Sequence, residues 1–107
     1  MNAVIGTAVP ADLIAELERR YFWWEPIAGT PRSDNRIIAQ AMDLAGFADV
    51  RRLETEVGAE RLVDVMRHAQ PGWISPRSWE FWRGRLSYAT GQEIPKMPPR
   101  RTLHAAV

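Results

Sequence analysis

The chain has 107 residues, 46% of them hydrophobic, with no cysteine and a formal net charge of +1. That length suits one domain around one modest core, and the missing cysteine excludes disulfides, thiolate metal sites and cysteine nucleophiles. The small net charge hides a polarity: residues 1–64 carry 7 basic and 11 acidic side chains, residues 65–107 carry 7 basic and 2 acidic. The C-terminal part can therefore meet nucleic acid or an acidic protein surface, or simply neutralise the N-terminal part within the fold.

Residues 1–9 read as a flexible N-terminus. They show no basic segment followed by an apolar run, so neither a signal peptide nor a membrane span is expected, and a cytoplasmic location is the plain reading. A first helix is expected over residues 10–20, with Leu13, Ile14 and Leu17 as its apolar stripe and Asp12 and Glu16 toward its positive end. The aromatic run Tyr21-Phe22-Trp23-Trp24 closes it and requires burial. Residues 25–33 contain two prolines and a glycine and read as a loop.

A second helix is expected from a cap at Ser33 or Asp34, with Ile37, Ile38, Ala41, Met42 and Ala45 at helical spacing and Gly46 as its C′ residue. A third runs over residues 47–57, with Phe47, Val50, Leu53 and Val57 on one side and Gly58 ending it. A fourth turns Leu62, Val65, Met66 and Ala69 inward until Pro71-Gly72 stops it.

Residues 75–86 carry the strongest local signal. Ser75 can cap the first amides, and Pro76 suits the first helical position because it has no N–H to lose. Trp79, Trp82 and Leu86 fall at i, i+3 and i+7, on one face. Ile74 can staple against Trp79, and Gly91 can end the helix after Thr90. The expected fold is thus an all-α bundle of about five short helices, one domain over residues 10–91. Its core should include Leu17, Phe22, Trp23, Ile38, Met42, Leu53, Leu62, Met66, Trp79 and Trp82. Residues 92–107 hold Pro95, Pro98 and Pro99, which forbid a helix, and read as an extended or disordered basic arm, removable without loss of the helical body.

Catalytic chemistry is sparse. The two histidines, His68 and His104, have no partner at metal-ligand spacing. The acids Asp49, Glu54, Glu56, Glu60 and Asp64 alternate with Arg51, Arg52, Arg61 and Arg67, the pattern of an ion-paired solvated face. No nucleophile elbow and no glycine-rich phosphate loop occurs. The expectation is no enzyme, no metal and no cofactor.

Three segments together resemble a family. They are Tyr21-Phe22-Trp23-Trp24-Glu25; Asp49 to Leu53 through Gly58-Ala59-Glu60-Arg61-Leu62 to Val65-Met66; and Ser75 through Phe81-Trp82. Their order and spacing resemble small bacterial proteins encoded immediately beside AbiEii-type nucleotidyltransferase toxins. Those proteins carry a Phe-Trp-acid motif, an Asp-x-x-x-Leu…Gly-x-Glu-x-Ile/Leu stretch and a Ser-x-x-x-x-x-Phe-Trp helix. The chain departs from the pattern in Trp24-Glu25-Pro26, where an earlier acid is usual, and in its longer Pro/Arg-rich tail. The resemblance implies an antitoxin-like protein that binds and neutralises a cognate toxin.

A nucleotidyltransferase holds Mg²⁺ in an acidic cleft. The basic residues Arg83, Arg85, Lys96, Arg100 and Arg101 are the expected contacts to it, with Trp73, Met97 and Leu103 as anchors. The alternative is a small helix-turn-helix regulator that binds nucleic acid through short basic helices.

Overall fold

A computed structural model of the chain describes residues 9–22 and 32–100. Among these residues the structure has five helices and no strand: α1 (Ala11–Tyr21), α2 (Asp34–Leu44), α3 (Phe47–Glu56), α4 (Ala59–Arg67) and α5 (Pro76–Thr90). The all-α bundle is therefore the fold. Expected residues Trp23, Trp24, Arg101, Leu103 and His104 lie outside the described residues.

The helix ends follow local chemistry. The Ser33 hydroxyl accepts from the Arg36 amide at 3.1 Å, and the Ser75 hydroxyl accepts from the Ser78 amide at 3.3 Å. Pro76 occupies the first position of α5. Gly91 ends α5 in the left-handed region, φ +73° and ψ 8°. Gly58 links α3 to α4 at φ +96°, a conformation that a side chain resists.

Each amphipathic stripe turns inward. Leu13, Ile14, Leu17, Tyr21 and Phe22 from the first segment join Ile37, Ile38 and Met42 from α2. Val50 and Leu53 from α3 and Leu62, Val63, Val65 and Met66 from α4 meet Trp79, Trp82 and Leu86 from α5 in the same cluster. α1 packs mainly on α2, and α5 packs on α4 and α2. Trp79 and Trp82 are its largest fully buried side chains, and burying a large apolar side chain is worth about 1.5–3 kcal/mol against leaving it in water. Ile74 and Trp79 occupy the two staple positions and are both buried.

Three expectations need correction. Phe47, expected inside, is 71% exposed. The buried stripe of α3 is centred on Val50, Leu53 and Val57, and at 3.6 residues per turn Phe47 stands about 90° off its centre. Gly46 is not a left-handed C′ residue: at φ −81° and ψ 178° it is extended and begins α3. The end of α2 needs no glycine cap because α5 supplies donors to its last turn. Trp82 Nε1 donates to the Met42 carbonyl at 2.9 Å and Ser78 Oγ to the Asp43 carbonyl at 3.0 Å. The Asp43 carboxylate answers by accepting from the Ser75 amide at 2.9 Å. Lastly, residues 92–100 do not stand off as a free arm: they are extended, as expected, but bury Ile94 and Pro98 against the body.

Candidate functional site

After Gly91 the chain doubles back as an extended strap beside α4 and α5. Three side chains donate to three successive carbonyls of it. Arg67 donates to Glu93, Arg83 Nε to Ile94 at 3.3 Å, and Trp79 Nε1 to Pro95 at 2.8 Å. The prolines explain the choice of partners: an extended proline-rich segment has carbonyls to offer and few amides, so only side-chain donors can hold it. Ile94 fills the space under the strap, while Lys96, Met97 and Arg100 stay exposed, Met97 by 54%. The strap borders a groove of about 950 Å³ whose walls include Met66, Arg67, Arg83, Ser87, Lys96 and Met97. Its charge is mainly positive.

The expected partner residues fall into three groups. Lys96, Met97 and Arg100 lie together on the strap, open to a partner. Arg83 and Arg85 are half-buried and committed within the fold. Arg83 holds the strap and pairs with Glu80 at 3.6 Å, and Arg85 makes a two-pronged bond to Glu54 at 2.6 and 2.9 Å. Trp73 is half-buried at the edge of the core, with the Arg36 guanidinium 5.5 Å from its ring centre. Arg67, whose alternation with acids predicts an ion-paired face, belongs with the strap instead; only a proline-rich neighbour with bare carbonyls hints at it.

The acids of α3 also work between helices rather than only along them. Arg52 bridges Glu56, at 2.8 Å in the same helix, and Glu16 of α1. Tyr21 of α1 donates to the Asp49 carboxylate, which Arg20 approaches at 3.4 Å. Burial first, and then the bond to Asp49, push the Tyr21 phenol up to about 12. The guanidinium of Arg52 holds Glu16 below the usual carboxylate range, and that of Arg85 does the same for Glu54. His68 caps α4, its Nδ1 2.9 Å from the Asp64 carbonyl.

Among the described residues no cluster of three His, Asp or Glu is arranged to hold a metal ion, and no helix is long and apolar enough to cross a membrane. No family model, curated protein or solved structure matches this chain. The motifs behind the family resemblance are mostly structural here. Phe22, Leu53, Leu62 and Trp82 are buried, Asp49 holds Tyr21, Gly58 supplies the positive φ and Ser75 the cap. Phe81 departs from them, at 45% exposed.

Proposed function

We propose that this chain is a protein-binding antidote, which docks on a nucleotidyltransferase-type toxin and neutralises it in the cytoplasm without chemistry of its own. One observation carries the reading: the strap presents Lys96, Met97 and Arg100 from a backbone pinned at Glu93, Ile94 and Pro95. A prearranged segment loses less conformational entropy on binding than a loose one. Its cations suit an acidic, metal-binding cleft, and Met97 is an adaptable apolar anchor. The family resemblance supports the same partner class.

Arg101 and Leu103, outside the described residues, and Trp73 are further candidates, and Arg83 holds the strap itself. Arg85, spent on Glu54, contributes through the fold. A nucleic-acid role has less support, because the half-buried basic residues of α5 are engaged internally.

The test is co-expression with the protein encoded by the adjacent gene. Full-length chain is expected to bind it and restore growth. Lys96→Glu with Arg100→Glu should slow association roughly tenfold or more at low salt, with the effect shrinking as salt rises. Met97→Ser should instead speed dissociation. No complex with the neighbouring product, or binding indifferent to all three changes, would remove this reading.

A further inference from the structure

Between Glu93 and Met97 the strap has bonded three carbonyls and no amide. The carbonyls of Glu93, Ile94 and Pro95 are taken from beneath by Arg67, Arg83 and Trp79. Among the described residues, the amides of Glu93, Ile94, Lys96 and Met97 donate to no protein acceptor. Amides left in this way take an acceptor from water or from a ligand. What docks along the strap must therefore bring oxygen acceptors.

The groove beside the strap adds charge of one sign. Arg67, Arg83 and Lys96 line it against one acid, Glu93. Arg67 closes α4, where the carbonyl end of a helix favours a cation. A guanidinium has several N–H donors in a planar fork, and the hydrogen bond of Arg67 goes to the neutral Glu93 carbonyl. Neither Arg67 nor Lys96 has an ion-pair partner among the described residues. Arg83 shares its charge with Glu80 at 3.6 Å. With Glu80 counted, and Arg100 just past the groove, four cations still face two acids.

The surface between these charges is aliphatic. Ile94 is buried beneath it, Met97 is exposed, and Pro95 and Pro99 flank them. A nucleic-acid strand needs open ring faces for its bases to stack on. Trp79, the aromatic residue of this groove, is 1% exposed, and the exposed rings of Phe47, Phe81 and Tyr88 line no part of it. Cations, free amides and aliphatic surface together suit a polypeptide that carries carboxylates.

We propose that the groove beside the strap seats an extended acidic segment of the partner protein, running alongside residues 93–97. Asp or Glu side chains of that segment pair with Arg67 and Lys96. Its backbone carbonyls accept from the free strap amides, in the manner of an added strand, and its aliphatic side chains rest on Met97. The proposal rests on the reading above that the strap is a docking face, but it names a linear motif where that reading asks only for an acidic surface.

The strap from Gln92 to Pro99 spans at most about 26 Å, the reach of about eight extended residues. The probe is a displayed library of random peptides of that length, panned against the full chain. Asp and Glu interspersed with aliphatic residues should be enriched. Lys96→Glu should weaken the enriched peptides roughly tenfold or more at low salt and less at high salt, with an unchanged thermal midpoint because Lys96 is exposed. Phe47→Ser, on another face, should leave their binding intact. In amide NMR spectra of the full chain, bound peptide should move the resonances of Glu93, Ile94, Lys96 and Met97 downfield, as new hydrogen bonds do. Enrichment without acids, or strap amides unmoved by bound peptide, would overturn the proposal. A thymidine oligonucleotide of the same number of residues that binds more tightly than the enriched peptides would assign the groove to nucleic acid and overturn it equally. Acidic peptides that bind, beside an adjacent gene product that is neither bound nor neutralised, would sustain this site and remove the antidote reading alone. A neutralised product with no enriched peptide would do the reverse.

Discussion

The indole Nε1 of Trp82 donates to the carbonyl oxygen of Met42 at 2.9 Å, and both residues are buried. This bond ties the longest helix to the end of α2 and satisfies a carbonyl that has no partner within its own helix. Trp82 thus fills the core and caps a neighbouring helix with one side chain.

The two roles separate by substitution. Trp82→Phe keeps an aromatic ring but leaves the Met42 carbonyl buried without its donor, at a cost of about 1–3 kcal/mol. Trp82→Ala also opens a cavity and should cost about 3–5 kcal/mol. Urea unfolding midpoints should fall in that order. Equal midpoints for the wild type and Trp82→Phe would show that the bond contributes nothing.

The strap gives a second prediction. Removing residues 92–107 strips Ile94 and Pro98 from the body and the carbonyl acceptor from Trp79. Burial of one isoleucine and one orphaned indole N–H together amount to about 3 kcal/mol or more. The truncated chain should melt well below the full one, so a binding defect in it would not identify a contact. Ile94→Ala, which keeps the prolines and charges, should reproduce part of the loss.

Helix ends and stripes were legible because they depend on near neighbours. Ser33, Ser75, Pro76 and Gly91 act where a capping rule puts them, and Trp79, Trp82 and Leu86 share the face that their spacing requires. What was not legible depends on residues distant in sequence. Gly46 looks like a helix stop only until α5 supplies the donors that α2 lacks. Phe47 fits an apolar stripe until the packing of Val50 and Leu53 fixes where that stripe is centred. Arg83 and Arg85 read as open cations, but the strap and Glu54, brought close by the fold, take both. The docking of the strap escapes the sequence for the same reason: proline content excludes a helix and says nothing about side-chain donors arriving from α4 and α5.

Two glycines should respond to alanine in opposite directions. Gly58 sits at φ +96°, so a Cβ is strained there even though no atom lies within 4 Å of it; Gly58→Ala should cost about 1–2 kcal/mol. Gly84 lies within α5, exposed, and a Cβ there also meets nothing within 4 Å. Gly84→Ala should stabilise by about 0.5–1 kcal/mol through helix propensity. A midpoint raised by Gly58→Ala would contradict the backbone assignment at residue 58, and one lowered by Gly84→Ala would contradict the open helical site at residue 84.

The pairs Glu16–Arg52 and Glu54–Arg85 set the acid limb of stability. Hydrogen bonds from the guanidiniums hold both carboxylates below their ordinary 4.5 in the folded state. The unfolded chain therefore takes up protons first as the pH falls. The stability that these pairs contribute is complete above about pH 4.5 and is lost below it, as the folded carboxylates protonate. Replacing both by glutamine should lower stability at neutral pH slightly, since the pairs are partly solvated, and flatten the fall below pH 4.5. A variant with an unchanged acid slope would show that other carboxylates govern it.

Tyr21 sets the alkaline limb through Asp49. Its phenol is raised from 10 to about 12 by burial first and by the bond it donates to the Asp49 carboxylate second. A raised pKa on an acid that is neutral when protonated means that the fold prefers the protonated form. The unfolded chain releases this proton near pH 10, the folded chain only near pH 12. The stabilisation is thus present in full below pH 10 and declines across pH 10–12 as the unfolded state ionises. Tyr21→Phe should remove that decline, and it should also remove the late tyrosinate absorbance step in a spectrophotometric titration. Asp49→Asn takes away the carboxylate charge but leaves the burial, so the step should move down toward 10 without reaching it. If the late step survives Tyr21→Phe, another group produces it. If Asp49→Asn leaves the step where it was, burial alone raises the phenol, and the contact between α1 and α3 does not carry the charge coupling assigned to it.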